Sequence, residues 1–304
     1  MTAGNDHALA RDLAVEAGLR LLELRARGGE PDLLRKAGDR LSHEFLIGAL
    51  AARRPGDVVL SEEAADSPAR LSASRVWIID PLDGTREFGE PGRTDWAVHV
   101  ALWERSDASD SGDLTAGTVS LPAQDKVLST SPGAPAQSSI GPVVTGPMFH
   151  RVGEGMRSGA AGEDSEVGGG SGAGEDSGAG EGSGGGEGYG RMRIVVSRTR
   201  APRFVRDISD LIGAELVPLG SAGAKVAAVV CGDADAYVHG GGFYEWDTAA
   251  PVAVARAGGF HASRIDGSPL VYNQADLMMP DILVCRPELA ATLLQAIREV
   301  TNAR

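Results

Sequence analysis

Two aspartates three residues apart, Asp80 and Asp83, stand where an apolar run breaks into a turn: Val76-Trp77-Ile78-Ile79-Asp80-Pro81-Leu82-Asp83-Gly84-Thr85. The run from Val76 to Ile79 is short and lacks polar alternation, which suits a strand buried on both faces, with Asp80 at its mouth. Pro81 fixes its own φ and stiffens the turn, while Gly84, having no Cβ, lets a ligand approach the backbone closely. The free amides of Gly84 and Thr85 can hold an oxyanion. Paired carboxylates beside an anion cradle point to a divalent metal and a phosphate used together.

Other carboxylates occupy comparable places. Asp39 stands at the start of a helix expected over 39–52, where it also reads as an N-cap. Glu62 and Glu63 follow a short strand at Val58 to Leu60 and also read as a solvated turn. Asp247, in Glu245-Trp246-Asp247, precedes a small-residue helix expected over 248–257, with Pro251 in or near its first turn, and it too can be an N-cap. Glu62, Asp80, Asp83 and Asp247 thus each lie at a strand end or a helix start, and α/β sheets gather ligands from such termini. Magnesium takes hard oxygens and keeps water and substrate phosphate in its shell, so a few carboxylates and a carbonyl suffice. The chain has no Walker-type phosphate loop, no strand-linked dinucleotide fingerprint and no Gly-x-Ser-x-Gly elbow, which favours metal-assisted hydrolysis.

The elements that must position these groups follow from periodicity. Leu9, Leu13, Ala17, Leu21 and Leu24 share one face of an opening helix that Gly28 and Gly29 end. Trp96, Val98, Val100 and Leu102 describe a largely buried strand, in which His99 reads as a core histidine. Residues 115–130 read as a hairpin turning through Leu121-Pro122-Ala123-Gln124-Asp125. From 191 onward strands at 193–196, 215–219, 236–239 and 282–285 alternate with helices at 203–211, 223–230 and a terminal one bearing Leu289, Leu293 and Ile297, an α/β rhythm. Between the halves, 153–190 is almost entirely Gly, Ser, Glu, Asp and Ala, with scarcely any apolar side chain and Gly-Glu-Asp-Ser twice. Such a segment cannot offset its ordering entropy by burial and is expected to be a disordered acidic insert. The organisation expected is therefore an N-terminal α+β half (1–152) with the metal-binding turn, the insert (153–190), and a C-terminal α/β half (191–304).

The chain has 304 residues, 42% of them hydrophobic, enough for a sizeable core. A net charge of −13 argues against nucleic acid or an anionic membrane as partner. A small anionic substrate is compatible if metal supplies positive charge locally. The two cysteines, Cys231 and Cys285, are not in a ligand spacing, and no signal peptide or apolar run near ~18 residues is present. A soluble, cytoplasmic protein with reduced thiols is expected.

Asp80-Pro81-Leu82-Asp83-Gly84-Thr85 together with Trp246-Asp247-Thr248-Ala249-Ala250 resembles the paired signature of the lithium-sensitive inositol monophosphatase superfamily. Ser61-Glu62-Glu63, and Asp39 23 residues before Glu62, also fall where that superfamily places such groups. The resemblance covers nearly the whole chain outside the acidic insert. Arg86-Glu87-Phe88, Gly220-Ser221 with Lys225, and Tyr244-Glu245-Trp246-Asp247 look most like its CysQ branch, 3'(2'),5'-bisphosphate nucleotidases that remove the 3'-phosphate of 3'-phosphoadenosine 5'-phosphate in sulfate assimilation. The resemblance implies a layered α-β-α-β-α sandwich of the sugar phosphatase type; residues alone indicate only mixed α and β, with an antiparallel sheet in the first half. It implies that Glu62, Asp80, Asp83, Asp247 and the carbonyl of Leu82 bind two or three Mg²⁺, that Asp39 and Thr85, with Glu62, orient the attacking water, and that the Gly84 and Thr85 amides take up phosphoryl charge.

A second phosphate needs cations, which Ser197, Arg198, Ser221 and Lys225 can supply from the second half, with Arg86 or Arg93 nearby. The activity implied is hydrolysis of 3'-phosphoadenosine 5'-phosphate to AMP, with its sulfated analogue a further substrate. An inositol-1-monophosphatase or fructose-1,6-bisphosphatase would use the same machinery, and a catalytically silent phosphate-ligand sensor would lack one of the carboxylates or the threonine. The branch includes monomers and homodimers.

Overall fold

The structure is a computed structural model and describes residues 5–106, 111–130, 191–199 and 201–303. The expected insert at 153–190 lies outside the described residues. α1 (Asp6–Ala26) and α2 (Pro31–Arg53) open the chain. Gly28 and Gly29, both at positive φ, carry it from one helix to the next.

Five strands follow: β1 (Val58–Ser61), β2 (Arg75–Asp83), β3 (Ala97–Arg105), β4 (Gly112–Leu121) and β5 (Lys126–Ser129), hydrogen-bonded in that order. This sheet is not wholly antiparallel, as expected, but mixed. β1 runs parallel to β2 because the chain crosses over between Ser61 and Arg75 instead of turning back in a hairpin, and the other pairs are antiparallel. α3 (Thr85–Gly89) leaves the end of β2 directly.

The second sheet is built from β6 (Arg193–Ser197), β7 (Glu215–Leu219), β8 (Ala236–His239), β10 (His261–Ser263) and β12 (Ile282–Cys285), in the order β10-β12-β8-β6-β7. Short strands β9 (Phe243–Tyr244) and β11 (Met278–Met279) pair separately. The helices of this part are α4 (Arg203–Ile212), α5 (Ala222–Val230), α6 (Glu245–Ala257) and α7 (Ala290–Asn302).

Three buried clusters show how these elements stack. Leu9, Leu13 and Leu21 of α1 meet Trp77, Ile79, Val98 and Val100, so α1 and α2 cover one face of the first sheet. Ile78, Ala101 and Val119 on its other face meet Val226 of α5 and Ala249 and Val252 of α6, which in turn meet Tyr237 and Val284 of the second sheet. Phe204, Val205 and Ile208 of α4 and Leu293 and Ile297 of α7 cover the far face of that sheet at Ile194, Val196 and Leu283. The order is helices, sheet, helices, sheet, helices: the layered α-β-α-β-α sandwich. Val76 to Ile79 is fully buried because alternate side chains go to two different helical layers. Among the described residues no helix is long and apolar enough to cross a membrane.

Two helix starts differ from expectation. Asp39 lies inside α2, because Glu30 is the N-cap, its carboxylate accepting the Asp32 and Leu33 amides at 3.1 and 2.9 Å, and Pro31 opens the first turn. α6 begins at Glu245, so Asp247 is its third residue and reaches back to accept the Tyr244 amide at 2.6 Å. Pro251 is therefore inside the helix and not in its first turn. Its missing N–H leaves the Asp247 carbonyl without the usual helical donor.

Candidate active site

β2 delivers Asp80 and, as its last residue, Asp83, and the first turn of α6 delivers Asp247. One carboxylate oxygen from each lies within 4.8 Å of the others. The strand is irregular between Asp80 and Asp83, so both carboxylates serve one site despite the odd spacing that would place them on opposite faces.

Their environments differ. Asp80 Oδ1 accepts the Leu82 amide at 3.0 Å, whereas Oδ2 is buried and without a hydrogen-bond partner. Burial, and then the charges of Glu62, Asp83 and Asp247, raise its pKa well above the ordinary value. Asp247 is pushed up to about 6 by burial and by Asp83. Glu62, in the turn after β1, is pushed up to about 7 by desolvation of its carboxyl and by Asp247, Asp83 and Glu63.

Asp83 is the exception. Burial opposes its charge, but His99, the Gly223 amide and Lys225 together hold it below the ordinary value. Its oxygens accept the Ala222 and Gly223 amides at 3.2 and 2.7 Å, so the N-terminus of α5 faces it.

A buried carboxylate oxygen with no donor, facing like charges, is a costly arrangement in the absence of a cation. Hard oxygens gathered from β2 and the start of α6 are what a divalent ion of the magnesium type takes, so the residues fit such a metal. Glu62 meets the cluster through its charge and its carboxyl's contact with Asp80, but it is not one of the three carboxylates whose oxygens lie within 4.8 Å of one another. The Leu82 carbonyl accepts the Thr85 hydroxyl at 3.0 Å, and the same hydroxyl lies 3.2 Å from Asp39 Oδ1. Asp39 is thus brought to the site from within α2, and burial with the charge of Glu63 raises it to about 6.

Beside the cluster opens a cavity of about 580 Å³. Asp83, Gly84, Thr85 and Asp247 form its acidic end, and Ser197, Arg198 and Lys225 also line it. Arg198 is not free-standing: Nη2 donates to Glu87 and Glu90 at 2.7 and 2.9 Å, joining the end of β6 to α3. Lys225 is buried with its ammonium on the Gly220 carbonyl, burial lowering its pKa against the pull of Asp83 and Glu87. Ser221 is not among the lining residues. Its hydroxyl caps α5 by accepting the Ala224 amide at 2.9 Å.

Sequence reasoning missed part of the lining: Tyr237, His239, Gly240, Gly241, Gly242 and Phe243 also border the cavity. Three consecutive glycines directly after a strand were the available signal, and Gly241 and Gly242 both adopt positive φ. Arg86 lines the cavity and Arg93 instead pairs with Asp95.

A model of the inositol monophosphatase family matches residues 9–161 and 183–302. The 3'-phosphoadenosine 5'-phosphate phosphatase of Mycobacterium leprae is 46% identical over 300 residues, spanning 97% of this chain and 94% of that protein. The 3'(2'),5'-bisphosphate nucleotidase CysQ of Escherichia coli K12 is 26% identical over 239 residues, 78% of each chain. Among solved structures, CysQ from Bacteroides thetaiotaomicron superposes with a TM-score of 0.66 at 24% identity, covering 94% of this chain and 99% of that one, a likeness of fold.

Proposed function

The chain belongs to the inositol monophosphatase family, and we propose that it is a Mg²⁺-dependent phosphatase that converts 3'-phosphoadenosine 5'-phosphate to AMP and inorganic phosphate, as a cytoplasmic enzyme of sulfate assimilation. The observation that carries this reading is the 46% identity, over nearly the full length of both chains, to a protein of that activity. A cavity of about 580 Å³ that joins a carboxylate cluster to Arg86, Arg198 and Lys225 supports a substrate with more than one phosphate.

Asp80, Asp83, Asp247, Glu62 and the Leu82 carbonyl would hold two or three ions. When bound, Mg²⁺ supplies the positive charge that stabilises the phosphoryl transition state and acidifies the attacking water. The chain's own residues do the rest. The Thr85 hydroxyl has one proton and two acceptors, Leu82 O and Asp39 Oδ1. By donating to Asp39 it turns a lone pair toward the attacking water: the hydroxyl proton passes to Asp39 as the water's proton passes to the Thr85 oxygen, so the hydroxyl is restored. The Gly84 and Thr85 amides take charge on the phosphoryl oxygens, and Ser197, Arg198, Lys225 and the helix that Ser221 caps orient the remainder of the substrate.

Measuring kcat/KM for 3'-phosphoadenosine 5'-phosphate, inositol 1-phosphate and fructose 1,6-bisphosphate in one preparation with Mg²⁺ tests the reading. The bisphosphorylated nucleotide is expected to exceed both others by at least ~100-fold, a discrimination of roughly 3 kcal/mol. A preference for either sugar phosphate overturns it.

A further inference from the structure

His99 sits in β3 directly opposite Asp80 in the sheet register and is fully buried. Its Nδ1 donates to the Trp246 carbonyl at 3.2 Å, and its Nε2 lies 3.2 Å from Asp83 Oδ2, within ion-pair distance but outside hydrogen-bonding geometry. One ring therefore abuts both elements that carry the carboxylate cluster: β2, opposite Asp80 in the ladder and beside Asp83 at the strand's end, and the start of α6 one residue before Asp247. The space for it is made by Gly223. A Cβ there would stand 2.2 Å from His99 Nε2 and 3.1 Å from the Ala97 Cβ, and the Gly223 amide donates to the same Asp83 oxygen at 2.7 Å. A histidine that only filled the core would need neither an absent side chain beside its nitrogen nor a carboxylate facing it.

We infer that His99 is a positioning residue for the metal centre: by bridging Asp83 and the Trp246 backbone it sets the separation of Asp83 and Asp247, which come from different halves of the chain. The inference rests on the proposed reading of the cluster as a metal site. His99 does not line the cavity, so it acts through Asp83 and not on substrate. Partners that orient a metal's ligands typically carry about 10- to 100-fold of metal affinity or activity.

Three full-length variants separate the contacts. His99→Phe keeps a ring of similar size and removes both nitrogens, His99→Gln returns an amide near the place of Nε2, and His99→Asn returns one near Nδ1. Mg²⁺ binding is measured by calorimetry without substrate, alongside kcat and KM for 3'-phosphoadenosine 5'-phosphate. His99→Phe is expected to weaken Mg²⁺ binding and lower kcat by at least about 10-fold with KM little changed, and His99→Gln to recover more than His99→Asn. Wild-type Mg²⁺ affinity in His99→Phe overturns the inference. Should that variant not fold, wild-type affinity in both amide variants overturns it equally. A wild-type protein that neither binds Mg²⁺ nor releases phosphate overturns the phosphatase reading itself. A working wild type matched by every variant overturns only the role of His99.

Discussion

Asp80 presents one satisfied oxygen and one that faces three other carboxylates, which makes it the residue that best separates function from folding. An asparagine there keeps the Leu82 amide on its oxygen and turns its NH₂ toward the cluster. Asp83 allows no such separation, because both of its oxygens accept backbone amides at the start of α5. The pKa of Asp80 is raised in the folded protein, so its favourable contribution is complete below the unfolded value near ~4 and is lost as pH rises through the folded value. Asp80→Asn is therefore expected to lower kcat/KM by at least ~100-fold while raising the metal-free melting temperature at pH 7.5, and to change that temperature less at pH 5. Thermal melts in chelator and initial rates in saturating Mg²⁺ check both parts. Asp39 gives the matching pH prediction. Raised to about 6, it must be ionised to accept a proton, so kcat should fall about tenfold per unit on the acid side of that value, or lower where bound cation pulls the limb down. Asp39→Asn should flatten the limb at a rate roughly 100-fold or more below wild type.

At the scale of elements, the carboxylates were legible as a group before their frameworks were. The Asp-Pro-x-Asp-Gly-Thr turn is local, and its geometry follows from proline, glycine and the buried strand before it. Asp39 and Asp247 were placed at helix starts because an aspartate before an apolar periodic run reads as a cap. A glutamate with a following proline at residue 30, and a tyrosine N-cap at residue 244, had already begun those helices. Ser221 shows the converse: a residue singled out for substrate does a cap's work. Long-range pairings were beyond reach, since nothing in sequence spacing joins Arg198 to Glu87 across more than a hundred positions. That pair ties the end of β6 to the helix that follows the metal turn, and the Glu87 carboxylate is nearly buried. Removing one partner of a buried pair costs up to about 3–5 kcal/mol, less here because Arg198 is partly exposed to solvent. Arg198→Ala is expected to destabilise the protein by roughly 1–2 kcal/mol in urea unfolding and to raise KM. In a double-mutant cycle with Glu87→Gln the stability losses should be less than additive, and strict additivity would show that the pair does not couple.

The molecule as a whole joins two sheets through a shared middle layer, α5 and α6, whose side chains belong to one continuous core. That layer brings Asp247 to Asp80 and Asp83, so the site needs both halves. The family model passes over 162–182, a stretch holding Glu163, Asp164, Glu166, Glu175, Asp176 and Glu181 and no basic residue. Composition predicts a solvated tether there. Excising it shortens the link between Thr130 and Arg191 from 60 residues to 39, which on loop-closure entropy is worth only about 0.4 kcal/mol. Net charge moves from −13 to −7, since six carboxylates are lost. The shortened protein is therefore expected to keep its melting temperature and kcat. KM for an anionic substrate should fall at low ionic strength, and the difference should vanish near ~0.5 M salt, where the screening length is only a few ångströms. A tenfold loss of kcat on excision would mean instead that the acidic stretch takes part in the site, and salt titration of KM in the two proteins distinguishes a diffuse field from a specific contact.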